Sequence, residues 1–286
     1  MPMRSLPLSS SGFDTGREAE AVLVAELAGG RTILRRQHVG YPLHVTRAFY
    51  LDRPRSDIAT LYLQSASGGL YAGDRLKLDL TVGAHASFNV TTQASTVVHH
   101  GRGNGSVQHQ AIKVGDGGFC AFICDPYVLF PHADLLLRTI AEVAPTGVLI
   151  MADGFAVHDP HQSGEPFTRF AANTKIMRPD GAKLLSDIGQ VSGAEIAGQL
   201  GPLGGLKAAA TVFVIAPHDR RVDIATIEAA ADACGCLAGA SAAPNDAGVA
   251  MRILAKDGGT LARGIEAAFH AASRAALGID LVRRRK

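Results

Sequence analysis

The chain has no tryptophan, and its aromatic side chains amount to 5 tyrosines and 11 phenylalanines in 286 residues. A carbohydrate-active enzyme on a β-solenoid needs paired carboxylates and usually aromatic platforms for the sugar, so that reading finds little support. An excess of one charge is also lacking. Against 28 basic residues stand 26 acidic ones, a net charge of +2, which offers no electrostatic footprint for nucleic acid. The basic run Arg283-Arg284-Arg285-Lys286 reads as a solvated terminus. No apolar run reaches the length of a bilayer span. The opening Met3-Arg4-Ser5-Leu6-Pro7-Leu8 is too short and too proline-broken for a signal peptide. A cytoplasmic protein with no membrane contact is therefore expected.

Sequence motifs for several chemistries are missing as well. No G-x-x-x-x-G-K-[ST] loop occurs, so nucleotide hydrolysis is not expected. Gly189-Gln190-Val191-Ser192-Gly193 has the wrong spacing for a nucleophile elbow. Gly101-Arg102-Gly103-Asn104-Gly105 is followed by an alternating, strand-like segment rather than a helix, so it reads as a hairpin tip and not as a phosphate cradle. The 4 cysteines include no C-x-x-C. Cys120 and Cys124 share a face if their segment is a strand, Cys234 and Cys236 lie near a helix end, and all four read as buried free thiols. Histidine offers the metal-ligand chemistry that cysteine does not. His99 and His100 would point to opposite faces of a strand, so only one could join a common site. His158, Asp159 and His161 could form a weak divalent-ion site in a turn, but read first as solvated loop residues. A hydrolase built on them would need further ligands. His132 reads as structural, in a packed bend.

What the chain does have is a high apolar content, 47%, much of it alanine and glycine, enough for a substantial core. It is organised around Ser65–His100. Gly68, Gly69 and Gly73 lead into Asp74, a spacing that suits positive φ or close backbone approach. Leu76–Val82 and Ser87–Thr91 then alternate apolar and polar, with Gly83-Ala84 between them, which predicts a twisted β-hairpin. Strand, glycine turn, strand recurs at Gly83, Gly118, Gly147 and Gly181. That rhythm fits a β-coil or a series of ordinary hairpins equally well. The last third changes to a strand over 206–215, a helix N-capped by Asp223, a strand over 249–254 and a long final helix. In that helix Leu261, Ile265, Phe269, Ala272 and Ala276 form one apolar stripe, and Gly278 is a natural stop.

The ordered blocks GGLYAGDRLKLDLTVGAHASFNVTTQAST, Leu34–His38, Pro42–Tyr50, Pro126–Pro131 and Gly164–Phe167 resemble the UreD (UreH) family of urease accessory proteins from about Ala21 to Gly278. The resemblance implies a mainly β fold, with a β-helical or layered β body and a small C-terminal α/β layer carrying about two helices. The expected organisation is a flexible tail over 1–20, one UreD-like domain over 21–278 (β body 21–205, α/β layer 206–278) and a basic tail over 279–286. It also implies a non-enzymatic scaffold that binds apo-urease with UreF and UreG and helps deliver nickel, with no permanent cofactor and nickel only in transit. The motif residues that follow from it are Gly68, Gly69, Gly73, Asp74, Thr91, Thr92 and Gln93. Asp74 and Asp125 admit two readings: turn chemistry beside Gly73 and Pro126, or carboxylates near an internal path for nickel. The chain departs from the family at His99-His100 and in its ending, Leu277–Arg283, which leaves a paralogue serving another nickel system as the alternative.

Overall fold

The computed structural model describes residues 16–197, 201 and 203–283. Most of the segment expected to be a tail, and the last three residues of the basic run, lie outside them. In chain order the elements are β1 (Glu18–Ala28), β2 (Arg31–Val39), β3 (Leu43–Val45), β4 (Ala59–Ser65), β5 (Arg75–Val82), β6 (Ser87–Thr92) and β7 (Val97–Val98). Next come β8 (Ser106–Val114), β9 (Phe119–Ile123), β10 (Tyr127–Leu129), β11 (Asp134–Val143), β12 (Val148–Val157), β13 (Arg169–Met177) and β14 (Lys183–Val191). The C-terminal part holds α1 (Gly193–Ile196), β15 (Ala208–Ile215), α2 (Ile224–Asp232), β16 (Leu237–Ala242), β17 (Gly248–Ala255) and α3 (Gly258–Leu277).

These strands form two facing sheets. Sheet I runs β14-β13-β11-β8-β5-β1-β2 and sheet II runs β16-β17-β15-β12-β9-β6-β4-β3. In sheet I, β1, β5, β8, β11 and β13 are all parallel. In sheet II, β4, β6, β9 and β12 are parallel as well. The chain therefore winds from one sheet to the other and back, adding a strand to each sheet per coil. Equivalent positions stack: Val82, Val114 and Val143 stand in register at the end of the sheet I strands. Corner backbones bond to the coil before them, Gly83 N–H to Ala25 O, Gly115 N–H to Val82 O and Ala144 N–H to Val114 O, at 2.8, 2.8 and 2.9 Å.

Two expectations from the sequence are overturned here. Leu76–Val82 and Ser87–Thr91 do not make a hairpin, because β5 and β6 lie in opposite sheets and pair with earlier and later coils. Period-two alternation fixes which face of a strand is buried but is silent about its neighbour. The corner at Gly83–Ala86 buries Ala86 completely and turns the chain across the sandwich instead of back on itself. For the same reason Gly101–Gly105 is no hairpin tip: β7 pairs with β10, whereas β8 pairs with β5 and β11. Gly83, Gly118 and Gly147 mark successive corners, and only Gly181 sits in a true hairpin turn, between β13 and β14.

Burial follows from the layers. β5 alternates between buried and more exposed positions, as one open face requires. β9 (Phe-Cys-Ala-Phe-Ile) is buried at every position and β12 at all but its last, because sheet II is covered on both sides. One side meets sheet I through Leu80, Phe88, Phe122, Leu149 and Phe213. The other is covered by α2 and α3, whose Ile227, Leu261, Ile265 and Phe269 pack on Ile150, Val212 and Ile253. Asp223 and Asp257 N-cap these helices by accepting from Thr226 N–H and Thr260 N–H, and Gly278 closes α3 at φ 73°. The expected strand-helix-strand-helix order gains β16, whose Leu-Ala-Gly-Ala-Ser-Ala sequence carries little strand signal. All four cysteines are free; Cys120 alone is fully buried, its thiol pKa pushed up by that burial, and the other three are partly exposed.

β1 begins at Glu18, not Ala21. Beyond α3, Leu281 is buried and Val282 N–H donates to Asp52 Oδ1 at 2.6 Å, whereas Arg283 is exposed. No helix among the described residues is long and apolar enough to cross a membrane.

Truncating Phe269 to alanine should cost about 3 to 5 kcal/mol, because the ring lies between α3 and sheet II with no solvent contact. Urea denaturation followed by circular dichroism measures this. A loss below about 1 kcal/mol would mean that the helical layer contributes little to the fold.

Candidate functional site

The glycine loop before β5 is held by one ion pair. Asp74 is 1% exposed. Its Oδ1 accepts from Arg17 N–H and Arg17 Nε at 3.0 Å each, and its Oδ2 accepts from Tyr71 N–H at 2.8 Å and from Arg17 Nη2. Burial pushes the Asp74 pKa up, but the hydrogen bonds from Arg17 and Tyr71 and the guanidinium charge outweigh it, leaving the carboxyl below its usual range. Arg17 also donates to Gly69 O and lies over the Tyr71 ring, 4.9 Å from its centroid. The glycines have steric reasons. A Cβ on Gly69, at φ 138°, would sit 2.2 Å from Val97 O, and one on Gly73, at φ 77°, would meet Asn104 Nδ2 at 2.7 Å. Gly68 is at φ 78° in the same loop.

On one side of this loop is a cleft of about 680 Å³, lined by Arg17, Asp74, His99, His100, His132 and His161 among others. Both His99 and His100 reach it, contrary to the strand-based expectation, because β7 ends at Val98 and the alternation stops there. His99 stacks on Tyr71 at 4.3 Å between ring centroids, and His100 lies 4.6 Å from His132. His100 Nδ1 accepts from Arg102 N–H at 2.8 Å. His132, read as structural, is half-exposed, with Nε2 3.8 Å from Glu165 Oε2. Asp159 serves its turn, accepting from Gly164 N–H, Ser163 Oγ and His161 N–H, and the first of these leads in lowering its pKa. Among the described residues no three His, Cys, Asp or Glu side chains converge as a metal centre would require.

On the other side is a cavity of about 660 Å³ between the sheets, lined by Gly68, Gly69, Thr92, Gln93, Gln108, Cys124, Asp125 and Tyr127 among others. Asp125 is buried, and its N–H donates to Thr92 Oγ1 at 2.9 Å. Thr91 is fully buried and donates to Ile123 O at 2.6 Å. Gln93 pairs with Gln64 at the rim. Asp74 and Asp125 thus belong to different cavities, with the glycine loop as the wall between them.

A row of polar side chains runs along the axis of the coils, beginning on β8, the strand that gives Gln108 to this cavity. In sheet I, Gln110, Thr139, Thr174 and Asp187 stand side by side on four adjacent strands. The first three are buried, and Thr139 Oγ1 donates to Gln110 Oε1 at 3.0 Å. In sheet II, Asp153, Thr211 and Arg252 stand side by side. Tyr127 OH donates to Gln108 Oε1 at 2.6 Å, and Thr174 hydrogen-bonds the Asp153 carboxyl. Apolar clusters flank this seam on both sides, with Ile112, Ala141 and Ile176 in one and Leu137, Phe155 and Phe170 in the other. It ends at a second cavity of about 200 Å³ lined by Asp153, Asp187, Thr211 and Arg252, where Arg252 Nη2 meets Asp187 Oδ1 at 2.5 Å. Asp153 Oδ2 is buried with no hydrogen-bond partner. Burial, with the Asp187 charge acting in the same direction, pushes its pKa up to about 7 against the opposing Arg252. Sequence reading missed all of these residues. The available signal was that Gln110 and Thr139 occupy the same place before Val114 and Val143.

Two outcomes follow from this geometry. Gly69→Val should lower the melting temperature sharply, since the added side chain meets a backbone carbonyl; an unchanged melting curve would show that the loop has room. For Asp153, the native state holds its proton up to higher pH than the unfolded chain does. Its contribution to stability is therefore lost as pH rises from about 4 to about 7. Asp153→Asn should flatten that part of the stability–pH curve and raise stability at pH 8. Equal slopes in the two proteins would refute the buried-acid assignment.

The family description "UreD urease accessory protein" matches residues 17–286. A protein named urease accessory protein UreD 3 from Bradyrhizobium sp. (strain ORS 278) is 58% identical over 284 residues, covering 99% of this chain and 100% of its own. Urease accessory protein UreD 1 of Methylorubrum populi is 41% identical over 287 residues, covering 100% and 98%. Urease accessory protein UreD 1 of Pseudomonas syringae pv. syringae is 28% identical over 264 residues, covering 91% and 92%. With its stacked coils, its helical layer and these similarities, the chain belongs to the UreD family of urease accessory proteins.

Proposed function

We propose that the protein is a non-catalytic cytoplasmic scaffold for urease maturation. It binds apo-urease together with UreF and UreG and lets nickel pass along the polar seam between its sheets. The observation that carries this reading is the buried row Gln110–Thr139–Thr174, whose strand β8 also gives Gln108 to the cavity at Asp125 and whose Thr174 hydrogen-bonds Asp153 at the cavity beside Asp187. Such a row is costly to keep inside a β sandwich for stability alone, since apolar side chains of similar size would pack there without any hydrogen-bonding demand.

The donors suit a borderline divalent cation that must be released again. Amide and hydroxyl oxygens with Asp125 in one cavity, and Asp153 beside an arginine-paired Asp187 in the other, bind weakly, in contrast to a closed set of thiolates and imidazoles. Asp153, with its unpartnered oxygen and its pKa pushed up to about 7, can release its proton to water as an arriving cation takes the proton's place on the carboxylate. Asp125 supplies the carboxylate of the other cavity. We assign Asp74 to the loop instead, because Arg17 and Tyr71 already fill its oxygens.

Co-expression with urease and its accessory proteins tests this assignment. Asp125→Asn combined with Asp153→Asn should lower the nickel content of urease several-fold while pull-down of urease and UreF stays intact. Full nickel content in urease matured by the double variant would refute the seam as the route.

A further inference from the structure

We propose that Arg252 is a charge filter at the β14–β17 end of the seam, closed while it is clamped to Asp187 and opened when an acidic group draws it away. This rests on the seam being a cation route. Arg252 stands directly beside Thr211 on the neighbouring strand and donates to its Oγ1. Its Nη2 reaches across the sandwich to Asp187 Oδ1 on sheet I. The guanidinium thus bridges both sheets at the mouth of the 200 Å³ cavity that Asp153 lines from within.

A guanidinium stays positively charged at any working pH, so a cation leaving by this mouth must pass a fixed like charge. The clamp is of the exchangeable kind. Arg252 keeps 59% of its side chain exposed whereas Asp187 keeps 23%, so its outer face is open to a competing carboxylate. A partly exposed ion pair holds weakly and yields to a better acceptor. The charged groups facing Arg252 are Asp153 from β12 and Asp187 from β14; β13 and β15 contribute the neutral Thr174 and Thr211. The filter therefore holds a cation next to Asp153 until a partner presents an acidic side chain to Arg252.

The test loads the full-length protein with Ni²⁺ alone and follows its release to a chromogenic chelator by stopped-flow. Arg252→Gln keeps a donor for Thr211 but removes the charge, and should speed release by roughly tenfold. Arg252→Lys keeps the charge and should release at close to the wild-type rate, an outcome that a purely structural clamp would not give. Asp153→Asn should abolish the slowly released fraction. If Arg252→Gln releases at the wild-type rate while Asp153→Asn loses the bound nickel, the filter is overturned and the route stands. If wild type takes up no nickel, or if Asp153→Asn leaves uptake unchanged, the route fails and takes the filter with it.

Discussion

Parallel register between successive coils is the constraint on which the rest of the structure depends. Once Val82, Val114 and Val143 stack at the corners, every inward position of one coil lies beside the same inward position of the next. Any residue type repeated at one slot then becomes a continuous stripe along the axis. Leucine and valine at most slots give the two apolar clusters. Glutamine, threonine and aspartate at a single slot give the seam.

That seam is a concession in stability. Threonine and glutamine in a core must bond to each other, and Thr139 with Gln110 does so. Asp153 is the member whose demand is left open, with one buried oxygen unpartnered. It lines the 200 Å³ cavity beside Asp187 and Arg252, so its cost is borne at the end of the seam where the packing is open. The glycine loop plays the opposite part. Its carboxylate is fully bonded, its glycines admit the Val97 backbone and the Asn104 side chain, and Arg17 ties the start of β1 to it. We therefore see the loop as a fixed partition between two cavities, one lined by His99, His100, His132 and His161 and one by Gln108, Asp125 and Tyr127.

Sheet II could only become the central layer because its strands tolerate burial on both faces. Phe119–Ile123 and Val148–Ala156 have no exposed position. α3 offers one apolar stripe and presents its charged residues outwards, so it can cover such a sheet without aggregating. Sheet I carries its polar residues on the uncovered face, where Lys77 pairs with Glu20 and Lys113 with Glu142. A distribution of this kind leaves a broad face of paired charges, with Ile140 and Ile188 as its exposed apolar residues.

The sequence by itself determined most of the strands, the Asp223 cap of α2, the apolar stripe and Gly278 stop of α3, and the glycines that mark the corners, because these follow from local steric and hydrogen-bonding preferences. Block resemblance added the family. Only the tertiary structure decided that β5 and β6 part company, since alternation specifies a buried face and not a partner strand. It alone brought His99 and His100 into one cleft, by ending β7 two residues early, and it alone set Asp74 and Asp125 in separate cavities. The seam was beyond local reading for the same reason. Gln110, Thr139, Thr174 and Asp153 are each an ordinary polar residue in an ordinary strand, and their meeting depends on long-range register that no short window of sequence contains.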